Sequence, residues 1–358
     1  MATHKPSNKS APGYRMPAEW EPHAATWLAW PHYEPDWPGK FEPIPWVYAE
    51  IIRYLSRGER VEVIVKDGAA EKSARKVLKR AHALNDKVRF HRWATNRVWT
   101  RDTGCAFVAP LLEDPHALAA VKWRFNGWAK YSNWQKDNRV GSLMAEAAGA
   151  KEIQAMFEGE PMVLEGGSID VNGQGTLLTT EECLLSKVQQ RNPGMKRRDY
   201  EKAFSEYLGV SNVIWLGAGI VGDDTHGHVD DITRFVSPDT VVTCVDADPA
   251  SKNYGALREN IRRLRDAATE AGKPLATIDL PMPAPVYFEG RRLPASYANF
   301  YIANAGVLVP VFNDPNDRVA MDILADIFPD RDVVGIYCGD LIWGLGAIHC
   351  MTQQQLAL

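Results

Sequence analysis

The chain reads as an α/β protein assembled from about five related β/α units, and three observations carry that reading. An order of strand, helix, strand and acid-bearing segment recurs along the 358 residues. The focal residues Asp102, Glu165, Asp230, Asn304 and Cys350 fall roughly 45 to 75 residues apart in similar local settings. The turn Asn172-Gly173-Gln174-Gly175 folds Ser168-Ile169-Asp170-Val171 back onto Thr176-Leu177-Leu178-Thr179-Thr180, a hairpin signature. A closed radial arrangement would bring the start of one hairpin per unit to a common axis, the simplest way to gather positions 99 to 350 into one site. No linker divides the chain, so a single domain over residues 1–358 is expected.

The elements follow from local pattern. Residues 1–45 carry many prolines and aromatics, Trp20, Trp27, Trp30 and Trp37 among them, which suits an irregular N-terminal wrap over a core. From Trp46 to Ser56 the apolar positions Val47, Ile51, Ile52 and Leu55 have helical spacing, and Val61 to Val65 then reads as a strand. A basic helix from about Ala69 to Leu84 and a strand at Val88 to Phe90 lead into the segment Trp99 to Val108. Val213–Leu216, Ala276–Leu280 and Val333–Tyr337 read as further strands. Helices fall between them at Asp199–Leu208, Tyr254–Ala271 and Arg318–Phe328, the second with Leu257, Ile261, Leu264 and Ala268 on one face.

Bulk properties exclude several classes. With 45% apolar and 24% charged residues the composition is that of a folded soluble protein. A net charge of −4 leaves no electrostatic footprint for nucleic acid or an anionic membrane. Residues Met1 to Pro22 lack an apolar signal region, and no run approaches the roughly 18 apolar residues of a membrane span, so a cytoplasmic protein is expected. Five scattered cysteines without a C-x-x-C pair suggest reduced thiols, not a disulfide framework or zinc knuckle.

Chemistry concentrates in four segments. Cys350 closes the run Gly344-Leu345-Gly346-Ala347-Ile348-His349-Cys350, whose glycines permit close approach of backbone or substrate. In His226-Gly227-His228-Val229-Asp230 the period-two geometry of a strand would set His226, His228 and Asp230 on one face. That face suits a catalytic base with its carboxylate, a solvated edge strand, or a metal site of H-x-H-x-D type. A metal site would want a second histidine cluster, which the remaining histidines do not make; metal-free catalysis with His228 as base is therefore the expectation. On a strand His349 would face away from the Cys350 thiol. Asp102, Glu165 and Asp230 offer three acids to one cation. Guanidinium fits them best, because its planar fork of N–H donors pairs bidentately with carboxylates. Trp99 would stack on that plane or wall the pocket.

These motifs, W-x-R-D-x-G at Trp99–Gly104, E-G-G-S with N-G-x-G-T-L-L-T-T at Glu165–Thr180, G-H-x-D at Gly227–Asp230, R-F at Arg234-Phe235 and the terminal I-H-C-x-T-Q-Q, run nearly the whole chain. In that order the chain resembles the agmatine deiminase family, the bacterial peptidylarginine deiminase-like branch of the guanidine-modifying superfamily. The resemblance implies an α/β propeller of five pseudo-symmetric ββαβ modules around a central active site. It also implies that Cys350 is the nucleophile, His228 the general acid/base with Glu165 as its partner, and Asp102 and Asp230 the guanidinium clamp. The implied reaction runs through a covalent amidino-thioether on Cys350 and needs no metal or organic cofactor. A homodimer acting on a small cationic guanidine is the implied assembly and partner, with arginine or peptidyl arginine as alternative substrates.

The chain departs from the family pattern at three places. Cys105 stands where proline commonly follows R-D-T-G, His226 where an acid commonly precedes G-H, and Gly344-Leu345-Gly346-Ala347 where a third glycine is common. Asp224, just before the histidine, is the expected acid for a distal amine on the substrate.

Overall fold

The computed structural model describes residues 13–111 and 118–358. Five mixed sheets repeat one plan: an antiparallel hairpin whose second strand pairs in parallel with a third, reached through a helical crossover. In the first, Ala106–Pro110 pairs with Ala119–Lys122 and that strand with Lys151–Gln154, with helix Val140–Ala148 between. The second joins Asp170–Val171, Thr176–Thr180 and Asn212–Leu216 through helix Arg197–Leu208. The third joins Thr233–Ser237, Thr240–Val245 and Ala276–Pro281 through Tyr254–Arg265. The fourth joins Tyr301–Ile302, Gly306–Val311 and Asp332–Tyr337 through Asn316–Ile327.

The fifth sheet is closed by the two ends of the chain. Gln353–Leu356 pairs antiparallel with His23–Ala29, which pairs in parallel with Arg60–Val65 and, through it, with Val88–Arg92. This differs from the expected irregular wrap over residues 1–45: its prolines flank His23–Ala29, but the strand itself is proline-free and buried along almost its whole length. Residues 1–12 of that wrap lie outside the described residues. Between the strands, helix Ile44–Gly58 buries Ile44, Tyr48, Ile51, Ile52 and Leu55 on one face, the pattern its spacing predicts. Helix Gly68–Arg80 is capped by Asp67, whose carboxylate accepts the Ala70 N–H at 2.8 Å, a contact worth about 1 kcal/mol. No helix among the described residues is long and apolar enough to cross a membrane.

Asp102, Glu165, Asp230 and Cys350 each sit in a turn just ahead of the first strand of their module. The acid-bearing segments are therefore not strands, as their alternation suggested. Thr100–Thr103 is one helical turn, and Val229–Asp231 is a 3-10 turn. His226 (φ 65°) and Gly227 (φ 94°) adopt left-handed backbone that no strand accommodates, so the one-face grouping of His226, His228 and Asp230 does not form. Residues 348–351 likewise form a turn before strand Gln353–Leu356.

Candidate active site

The five turns converge. From the last module comes Cys350, buried with its thiol 3.7 Å from Asp230 Oδ2 and accepting the Asn299 side-chain N–H at 3.1 Å. Burial, then Asp230, Asp231 and Asp102, push that thiol well above the ordinary cysteine value. From the third module come His228 and Asp230. His228 Nδ1 lies 3.9 Å from Asp102 Oδ1 and 4.0 Å from Asp230 Oδ1, while Nε2 lies 3.6 Å from Glu165 Oε2. Neither ring nitrogen has a hydrogen-bond partner among the described residues. Burial opposes the charged ring, but Asp102, Cys183 and Glu165 outweigh it and hold His228 well above its usual range.

From the first module, Asp102 accepts the Gly167 N–H through Oδ1 at 3.0 Å and the Trp128 indole N–H through Oδ2 at 2.8 Å. Burial, reinforced by Asp230 and Glu165 against the pull of His228, pushes its carboxyl up to about 6. From the second module, Glu165 is fully buried, both oxygens held by Arg191 Nε at 3.1 and 3.2 Å. Burial alone would raise its carboxyl; the Arg191 and His228 charges bring it below the usual value. Gly167 explains the glycine pair after Glu165. A Cβ there would stand 2.5 Å from His228 Nδ1 and 3.0 Å from oxygens of Asp102 and Asp230.

Asn299 supplies the fourth module's contribution, and sequence reading missed it. Beside its bond to the thiol, its Nδ2 donates to Asp231 Oδ1 at 3.0 Å, and its Oδ1 accepts the backbone N–H of His349 and Cys350. Asn304, singled out by its spacing, instead bonds the backbone of His23, Gly58 and Glu59's carboxylate, away from the thiol. The clue lay in position: every other focal residue precedes its strand, whereas Asn304 follows Tyr301–Ile302.

His349 does not turn its back on the site. Its Nδ1 meets Asp230 Oδ2, the same oxygen that faces the thiol, and its Nε2 meets Glu19, which in turn binds Arg101 and Arg234. Asp230 Oδ1 remains buried with no hydrogen-bond partner among the described residues. Burial would raise the Asp230 carboxyl; the His349 bond and the charges of His349, His228 and Arg234 together bring it below the usual carboxylate value.

A cavity of about 670 Å³ leads from Cys350 and Asp102 past Trp99 and Trp128 to a mouth that includes Tyr131 and Asp224. The benzo edge of Trp99 packs on Gly346 beside Cys350, where a Cβ would come within 2.7 Å of the ring. Asp224 stands at the mouth with both oxygens taken: Oδ1 by Lys130 at 2.6 Å and Arg291 at 2.9 Å, Oδ2 by the Tyr131 hydroxyl at 2.6 Å. Neither departure from the family pattern at Cys105 or His226 lines this cavity. His226 Nε2 bonds the Ser186 hydroxyl, and Cys105 is buried with its thiol pushed up to about 12.

Among the described residues two donor sets have metal-like spacing, Glu165 with Cys183 and His228, and Asp230 with Asp231 and Cys350, each within 4.8 Å. His226 belongs to neither, which removes the H-x-H-x-D arrangement. In the first set the Arg191 guanidinium already neutralises the carboxylate. In the second set Asp231 is already bonded by Asn299, and Cys350 lines the cavity.

Five repeated sheets with a cysteine, a histidine and several carboxylates at their convergence define the class of guanidine-modifying α/β enzymes. The family is specific: residues 15–355 match the model of the Porphyromonas-type peptidyl-arginine deiminases, and the chain belongs to that family. It is 35% identical to an agmatine deiminase of Pseudomonas aeruginosa (strain LESB58), over 98% of each chain. Its structure is similar to the agmatine deiminase of Enterococcus faecalis, with a TM-score of 0.86, 31% identity and 96% of each chain covered. It is also similar to a substrate-bound, cysteine-to-serine variant of the agmatine deiminase of C. jejuni, with a TM-score of 0.84, 28% identity and 96% of each chain covered.

Proposed function

We propose that the chain is an agmatine deiminase, hydrolysing agmatine to N-carbamoylputrescine and ammonia. One observation carries the chemistry: around the Cys350 thiol stand the carboxylates of Asp102 and Asp230, the latter with a buried oxygen unpartnered among the described residues, beside a histidine whose two ring nitrogens are equally unpartnered. A buried carboxylate oxygen left without a donor is costly, and a planar cation with several N–H donors supplies one to Asp230 while pairing with Asp102. Full-length similarity to agmatine deiminases supports the choice of guanidine.

In this reading Asp102 and Asp230 clamp the guanidinium and Trp99 walls it. The bound cation lowers the cost of ionising Cys350, whose thiolate the surrounding carboxylates disfavour. As the cation binds, the Cys350 thiol gives its proton to solvent and the thiolate adds to the guanidinium carbon; a terminal C–N bond breaks as His228, held protonated by its acidic neighbours, gives its own proton to the leaving nitrogen, and ammonia departs. Glu165 steadies the charged ring. Water then adds to the amidino-thioether carbon, giving a proton to His228; the C–S bond breaks, and the ureido product leaves with Cys350 regenerated. Asn299 holds the thiol and the turn that carries it. Only groups of the chain enter these steps, and none calls for a metal or organic cofactor; we further read the enzyme as a single catalytic domain, cytoplasmic and homodimeric.

The test is ammonia release from agmatine, arginine, an N-acylated arginine peptide and a simple alkylguanidine, with and without chelator, beside Cys350→Ala. Chelator-insensitive release that is greatest with agmatine and lost in Cys350→Ala is expected. Release that survives the substitution would overturn the mechanism; preference for another member of the panel would overturn agmatine as substrate.

A further inference from the structure

Resting on the deiminase reading, we infer that Asp36, not Asp224, receives the distal ammonium of the substrate and sets the enzyme's preference for an amine-terminated guanidine. Asp224 is the acid sequence position would nominate, but Lys130, Arg291 and Tyr131 already occupy both its oxygens. An incoming ammonium would have to displace two cations. Asp36 lines the same cavity, on the short 3-10 turn Glu34–Asp36, and its carboxylate is only half used. Oδ1 pairs with Arg97 Nε at 3.3 Å, whereas Oδ2 is buried without a hydrogen-bond partner among the described residues. The Trp99 indole N–H faces this carboxylate and favours its charged form, yet makes no bond of standard geometry to Oδ2. Burial still dominates and raises the Asp36 carboxyl to about 6 in spite of Arg97. A second cation in reach of Oδ2 is what this group lacks.

Arg97 leaves Oδ2 of Asp36 open, because its Nε takes Oδ1 and its Nη1 is turned to Asn133. Its NH1 bonds Asn133 at 2.9 Å and its guanidinium lies over the Tyr131 ring at 4.3 Å. The turn bearing Asp36 is fixed by its neighbour Trp37, fully buried, whose indole N–H donates to Leu341 O at 2.9 Å in the segment leading to Cys350. The benzo edge of Trp99 touches Gly346 beside Cys350, and its pyrrole N–H faces Asp36. One indole thus borders the cavity beside both Cys350 and Asp36.

The experiment compares agmatine with n-butylguanidine, of equal length but lacking the amine, on the full-length enzyme and on Asp36→Asn. The wild type is expected to favour agmatine in kcat/KM by roughly 10- to 100-fold, as loss of one charge-assisted hydrogen bond implies. Asp36→Asn should erase that preference through KM while n-butylguanidine turnover changes by no more than a fewfold; Asp224→Asn should keep it. A wild type that uses both guanidines equally well overturns the inference and leaves the deiminase reading standing, with no variant required. Equal losses on both substrates in Asp36→Asn, or no loss on agmatine, overturn it too. A wild type silent toward both overturns the deiminase reading and the inference together.

Discussion

His349 and Asp230 form a buried hydrogen-bonded pair, Nδ1 to Oδ2 at 2.7 Å, that leaves Asp230 Oδ1 as the oxygen open to a substrate. The far nitrogen of His349 is tied at 2.8 Å to Glu19, which also meets Arg234 and Arg101. In the proposed reaction the Asp230 clamp is thereby oriented from behind by His349, Glu19, Arg101 and Arg234, none of which lines the cavity. His349→Asn should lower kcat/KM by about 10- to 100-fold, the effect of losing one to two charge-assisted bonds on the clamp, and lower Tm by several degrees. Steady-state kinetics and thermal denaturation on the same preparation check both.

Gly167 has no room for a methyl group. Its Cβ would stand 2.5 Å from His228 Nδ1, and the facing oxygens of Asp102 and Asp230 belong to buried residues that cannot swing aside. Gly167→Ala should displace the imidazole and cut kcat at least 100-fold while circular dichroism stays that of the wild type. Wild-type turnover in this variant would mean His228 is not where the reaction needs it.

The Asp102 carboxyl illustrates function opposed to stability. Burial raises it to about 6, from an ordinary value of 3.8. The native state then binds the proton more tightly than the unfolded chain, so stability contributed by this group falls as pH rises from about 4 through 6. Above pH 6 the ionised carboxylate is a standing cost on the order of 3 kcal/mol. Asp102→Asn lacks this dependence. Its Tm relative to wild type should improve between pH 4 and pH 8, whatever constant offset arises at Gly167 and Trp128, and its affinity for agmatine should fall at least 10-fold. A pH-independent Tm difference would show that Asp102 is not strained by burial.

The Cys350 thiol should answer to charge. Without a bound cation, burial and three aspartates hold it protonated. At neutral pH a cationic alkylating amidine should therefore react at least 100-fold faster than neutral iodoacetamide, because it brings the compensating charge with it. Equal rates, measured by mass spectrometry of the Cys350 peptide, would argue for a preformed thiolate.

Much of this was legible in the residues. The helix over Ile44–Gly58 follows from its apolar spacing, and the Asn172–Gly175 turn from its glycines. Motif order carried Cys350, His228, Glu165, Asp102 and Asp230 to one centre. Alternation failed where the backbone leaves extended space: at His226 and Gly227 a left-handed turn sends His226 to Ser186, while His228 and Asp230 reach the site. The strand His23–Ala29 was hidden because its partner, Gln353–Leu356, lies at the other end of the chain. Asn299 carries no local signal at all; its role comes from where the Tyr301–Ile302 hairpin begins. The engagement of Asp224 depends on Lys130 and Arg291, each some seventy to ninety residues away in sequence.

The most direct measurement is the intact mass of enzyme quenched in acid during agmatine turnover. We predict a population heavier by agmatine less one ammonia, with the added mass on the Cys350 peptide and absent from Cys350→Ser. Steady ammonia release with Cys350 unmodified at every quench time, and with Cys350→Ser still active, would contradict covalent catalysis by this cysteine.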